Sequence, residues 1–273
     1  MRWKRYSVSM DLTGITRKRT AEILADSLQS EYTYSFGSDS YTIEDQRNQI
    51  WNIAPASGIK AEKRLNNRIV GANQLYQVRF VTPFFYAGDF TFLEKLTEAL
   101  KNGEALINDT AKMSVTLDAA GINYRERYKT NLKNLYKSKG ILFQKAFGTV
   151  FSEIADCSQI EEGTVEFPIF KSTLNRQELL SYIQMAQIIN HYVQNQKSVS
   201  QKINPSVNEK FLMRTWLVRA GMIGDEYKFA RKLFTEHLQG NSAWLKKVNC
   251  IELQEEQISG EEQTITNKNE ISM

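Results

Sequence analysis

Cysteine and histidine are nearly missing from this 273-residue chain, which has two of each. Cys157 and Cys250 lie far apart, without metal-binding spacing, which excludes a disulfide scaffold or a zinc knuckle. Cys157 has no histidine nearby in sequence to activate it as a nucleophile. His191 and His237 each stand alone in a helical stretch and read as structural or solvated side chains. No apolar run approaches the ~18 residues of a membrane helix, and Met1-Arg2-Trp3-Lys4-Arg5 lacks the apolar core of a secretory signal. Phosphate-loop, dinucleotide-fold and nucleophile-elbow glycine motifs are absent. A cytoplasmic protein without a bound cofactor is the simplest expectation.

With 41% hydrophobic residues, the chain is long enough for a sizeable core in one large or two small domains. Its charge is uneven. Residues 251–273 carry six Glu and one Lys, so the whole-chain charge of +4 leaves +9 on residues 1–250. That acidic, aromatic-free end is too polar to bury itself and reads as a disordered tail. The basic body favours a partner with an acidic or phosphate surface.

Period-two alternation predicts strands at Trp3–Thr13, Tyr32–Phe36, Gln49–Ile53, Leu75–Thr82, Met113–Leu117 and Val165–Phe170. Gly37-Ser38-Asp39-Ser40 is a turn signal between the second and third. Helical spacing predicts Thr16–Ser30, with Ala21, Leu24 and Leu28 inward, and a helix capped by Asp89 that ends at Gly103. A long helical region from Tyr124 to Ala155 is expected to break near Gly140, followed by Arg176–Gln194, Glu209–Ala220 and Asp225–Leu238. The fold expected is α+β: an antiparallel or mixed sheet of about six strands, with helices packed on one side and a helical C-terminal part. The boundaries expected are a core over 1–196, a docked helical segment over 207–248 and a tail over 249–273, with the polar segment Lys197–Ser206, which carries Pro205, as the linker.

Five stretches in order carry a resemblance: Tyr6–Gly14, Trp51–Ile53, Tyr76–Pro83, Ser114–Asp118 and Gly163–Pro168. Together with Thr13-Gly14-Ile15-Thr16-Arg17 and Gly221–Tyr227, they resemble the amidoligase family, carboxylate–amine ligases with a glutamine synthetase-like sheet. The resemblance implies phosphorylation of a carboxylate by ATP and displacement of the phosphate by an amine. Such chemistry needs Mg²⁺ held by carboxylates and cations against the transferred phosphoryl group.

At the positions that the resemblance assigns to this chemistry, the chain carries other residues. The family's Glu-x-Glu strand is Ser9 and Asp11, both on one sheet face. The Asp after Trp51 is Ala56, the Glu before Val-Thr-Pro is Arg79, and the His-x-His strand is Ser114 and Thr116. Of the family's Glu-Phe-Arg, Glu166 remains and the Arg is Pro168. A cation about 5 Å from a dication costs on the order of 6 kcal/mol at an effective dielectric of 20. Arg79 is therefore expected to exclude metal, pairing instead with Glu166 or Asp11.

The resulting expectation is a pseudoenzyme that binds a macromolecule, either a protein or a ribonucleoprotein, with nucleic acid as a further candidate and no membrane. Amidoligase relatives on phages and mobile elements suggest inhibition of a host defence nuclease complex. Arg17, Lys18 and Arg19, and the aligned Lys129, Lys133 and Lys137, are the candidate partner-binding residues. The rival expectation is an active ligase built on Asp11, Glu166 and Asp118.

Overall fold

The computed structural model describes residues 3–118, 125–149, 160–161, 163–203 and 208–241. The acidic tail, Pro205 and both cysteines lie outside the described residues.

Strand β1 (Tyr6–Leu12) organises the molecule. The other strands of its sheet are β2 (Tyr32–Ser35), β3 (Ser40–Glu44), β4 (Ile50–Pro55), β7 (Val78–Val81), β8 (Lys112–Asp118), β9 (Ile160–Glu161) and β10 (Thr164–Lys171). They form an eight-stranded sheet in the order β2-β3-β4-β7-β1-β8-β10-β9. Every pairing in it is antiparallel. A separate hairpin pairs β5 (Glu62–Leu65) with β6 (Arg68–Gly71).

Strand alternation divides the sheet into two chemically different faces. Tyr6, Val8, Met10 and Leu12 are fully buried. Across the ladder, Met10 faces Phe80 and Met113, Phe80 faces Ile53, and Val8 faces Val115, itself opposite Phe167. These apolar rows are the core, each fully buried side chain stabilising by about 1.5–3 kcal/mol. Trp51 stacks on Phe80 at 5.8 Å and meets Phe92 edge-on at 6.0 Å, while its indole N–H donates to Asp45 at 3.0 Å.

The helices pack against this apolar face. They are α1 (Arg17–Leu28), α2 (Phe90–Asn102), α3 (Arg125–Phe147), α4 (Arg176–Asn195), α5 (Glu209–Arg219) and α6 (Lys228–Leu233). Helix α1 starts where Thr16 accepts from the Arg19 amide and turns Ala21, Leu24 and Leu28 inward, as the spacing predicts. Helix α4 is apolar on more than one side because it lies between β8 and the pair α3 and α6. Each of its three buried amide side chains is satisfied. Gln187 brackets the Lys4 main chain at 3.0 and 2.8 Å, Gln184 donates to the Glu226 carbonyl, and Asn190 accepts from the Tyr128 hydroxyl. Met213, Trp216, Leu217 and Phe234, from α5 and the C-terminal end, belong to the same buried cluster as the sheet. Among the described residues no helix is long and apolar enough to cross a membrane.

Three sequence expectations are corrected. The main sheet has eight strands rather than about six, and it is wholly antiparallel; β3 stands between the two strands that the Gly37–Ser40 turn was expected to join directly. Helix α3 runs through Gly140 without a break and stops at Phe147, where Gly148 adopts a left-handed φ of 63°. The expected helix Asp225–Leu238 is a 3₁₀ turn over Asp225–Tyr227 followed by the short α6.

Candidate functional site: the polar face of the sheet

The face opposite the core is built from the intervening residues of the same strands. Register places Ser9 beside Ser114 and Val81, and Asp11 beside Arg79. Ser7 stands opposite Thr116, itself opposite Glu166. Ser9, Asp11, Arg79, Ser114, Thr116 and Glu166 therefore share one face across β7, β1, β8 and β10. Pro168 is exposed on β10 within the irregular stretch between Phe167 and Phe170, where its missing N–H costs no ladder bond. Ala56 does not open onto this face. Only 1% exposed, it packs with Ile59 and Ala111 in a small second apolar cluster.

The central feature is an ion pair. The Arg79 Nε donates to Asp11 Oδ1 at 2.7 Å and its second nitrogen donates to Oδ2 at 3.1 Å, a two-point grip. Asp11 is 3% exposed at its side chain and Arg79 39%. The hydrogen bond to Asp11 holds the Arg79 pKa above its ordinary value, helped by the charges of Asp11 and Glu166 and opposed by burial. Among the described residues, no group of three or more His, Cys, Asp or Glu side chains is gathered to hold a metal ion.

Asp118 is also committed to a cation. Arg5 grips it at 2.9 and 2.6 Å and lies 5.9 and 5.8 Å from the ring centres of Phe84 and Tyr86. Arg5 was absent from the sequence expectations. Its place opposite Asp118 is a consequence of register, which no local motif records. The Val-Thr-Pro stretch has a structural duty: the Thr82 hydroxyl accepts from the Val8 amide at 2.9 Å, and Ser7 donates to the Thr82 carbonyl at 2.6 Å. The Thr13-Gly14 stretch does likewise. The Thr13 hydroxyl exchanges two 2.8 Å bonds with the Glu62 main chain, and the Gly14 amide donates to the same carbonyl.

The candidate partner-binding residues fall into two groups. Arg17 departs from its expectation. It is 4% exposed, donates to the Gln74 and Gln77 carbonyls and pairs with Asp39, tying α1 to the β7 approach instead of facing a partner. Lys18 and Arg19 are exposed, Arg19 pairing with Glu22 one turn on. Lys129, Lys133 and Lys137 are exposed on one face of α3, with Glu126 beside Lys129 at 3.5 Å. His237 is exposed, and the His191 pKa is lowered by burial.

Residues 5–152 match the family model described as "Putative amidoligase enzyme", which covers over half of the chain. The chain belongs to the amidoligase family. No curated protein matches it. The matched segment runs from β1 into the stretch after α3, so Ser9, Asp11, Ala56, Arg79, Ser114 and Thr116 lie inside the amidoligase region. Glu166 and Pro168 lie beyond it, on β10.

Proposed function

We propose that the protein is a non-catalytic amidoligase, glutamine synthetase-like in fold, that works by binding a macromolecular partner. The observation that carries this reading is the Asp11–Arg79 pair. A hard dication needs several carboxylate oxygens free of competing cations. On this face, Asp11 is gripped at both oxygens by Arg79, and Asp118 is held by Arg5. On the central strands, Glu166 opposite Thr116 is a further carboxylate. The residues present do not fit a magnesium–nucleotide centre.

The partner class follows from charge. Lys129, Lys133 and Lys137 form an exposed basic stripe on a body that carries an excess of positive charge, which suits an acidic protein, a ribonucleoprotein or a nucleic-acid backbone. Antagonism of a host defence nuclease complex from a phage or mobile element is an extension of this reading, and it rests on the family resemblance alone.

The second reading, a ligase with a rearranged site, is favoured by one observation: Asp11, Glu166 and Asp118 all belong to the polar face. Calorimetric titration with ATP, once with Mg²⁺ and once with chelator, separates the two readings. The binding reading expects no heat that depends on the metal, whereas metal-dependent micromolar binding supports the ligase.

A further inference from the structure

Between α3, α5 and the segment around residues 199–202 lies a cavity of about 400 Å³, within the range of small-ligand sites. Its wall has two distinct parts. Lys139, Lys202 and Arg219 supply three cations, and no acidic residue is among the described residues that line it. Tyr192, Phe211 and Trp216 supply aromatic surface.

Two features of this wall are unresolved within the protein. Among the described residues, neither Lys139 nor Arg219 has a carboxylate partner, and Lys139 is half-buried. Burial first, and the Arg219 charge second, push the Lys139 pKa down, as expected of a cation with nothing to neutralise it. Trp216 is 6% exposed and packs edge-on against Phe143 at 4.9 Å, yet its buried indole N–H has no acceptor among the described residues. An unpaired buried donor costs about 1–3 kcal/mol.

A ligand with an anionic end and an aromatic ring matches the cations and the aromatic surface of this wall. We infer that this cavity binds a small aromatic phosphomonoester, with the phosphate against the three cations and the ring against Tyr192, Phe211 and Trp216. A phosphomonoester carries nearly two negative charges at neutral pH. It therefore matches a three-cation wall better than a singly charged carboxylate does. The cavity is lined from α3, α4 and α5 and not from the sheet face, so its occupancy is independent of any metal there.

The test is a titration in chelator with two probes, 1-naphthyl phosphate and adenosine monophosphate, read by tryptophan fluorescence and calorimetry. Saturable binding of at least one probe is expected, with 1-naphthol and inorganic phosphate alone much weaker. Lys139→Gln and Arg219→Gln should each weaken that binding by about tenfold, the loss of one charge-assisted hydrogen bond. Lys129→Gln, on the same helix outside the cavity, should leave it unchanged. Lys202→Gln alters only an exposed segment and serves as the variant that keeps its fold. Failure of both probes to saturate would overturn the assignment, as would an affinity indifferent to Lys139, Lys202 and Arg219.

Discussion

Arg79 on β7 grips the buried carboxylate of Asp11 on β1 through two nitrogens, directly across the ladder and on the polar face. The pair neutralises a charge that would otherwise lie inside the sheet. Truncation therefore harms the protein mainly by what it leaves behind. Arg79→Ala should destabilise by about 2 kcal/mol, below the 3–5 of a fully buried pair because the guanidinium is partly in water. Asp11→Asn with Arg79→Ala should cost less than the two single changes added together. Urea denaturation of the double-mutant cycle measures this coupling.

Gly14 is required by space as well as by backbone angle. Its φ is +86°, and a Cβ there would sit 2.6 Å from the Glu104 carbonyl oxygen and 2.7 Å from the Leu106 amide nitrogen. Both obstacles are main chain and cannot turn aside. Gly14→Ala should therefore destabilise by about 2 kcal/mol or more, read as a lower urea midpoint, whatever the protein binds.

Alkaline stability should depend on Tyr182. Its ring stacks on Phe170 at 4.9 Å, and burial, with a smaller contribution from the charge of Glu178, pushes its pKa up to about 12. An unfolded tyrosine ionises near 10. Below about pH 10 both states keep the proton and the contribution is complete. Between about 10 and 12 the unfolded chain ionises first, so stability falls as pH rises. Tyr6 and Tyr128, also raised by burial, act in the same direction. Urea midpoints across this range should decline in the parent, and less steeply in Tyr182→Phe.

The stripe on α3 separates binding from folding. Replacing Lys129, Lys133 and Lys137 with Glu should change stability by no more than about 0.5 kcal/mol, since all three are exposed. The same variant should leave a heparin column at much lower salt and lose any nucleic-acid gel shift. Unchanged elution would remove α3 as the binding surface.

Much of the site was readable in the sequence because its information is periodic. Alternation along Tyr6–Leu12 fixes Ser9 and Asp11 on one face and Val8 and Met10 on the other. The family spacing then brings Arg79, Ser114, Thr116 and Glu166 to the same side. The remainder is carried by long-range partners. Arg17 looks like a surface cation at a helix start until Asp39, Gln74 and Gln77 converge on it from elsewhere in the chain. Ala56 reads as a lost acid, yet it fills a small apolar cluster. The β5–β6 hairpin had a local signal: Asn66 and Asn67, both at positive φ, form its two-residue turn. Its strands are only four residues long and largely exposed, so their hydrophobic pattern is faint.

The most direct test of the central claim counts manganese ions. Mn²⁺, a magnesium substitute with a paramagnetic signal, is titrated into the protein with ATP while free metal is followed by electron paramagnetic resonance. With Arg79 holding Asp11, the account predicts no protein-bound Mn²⁺ through the low millimolar range, and identical curves for the parent and Asp11→Asn. Stoichiometric Mn²⁺ binding that disappears in Asp11→Asn or Glu166→Gln would contradict it.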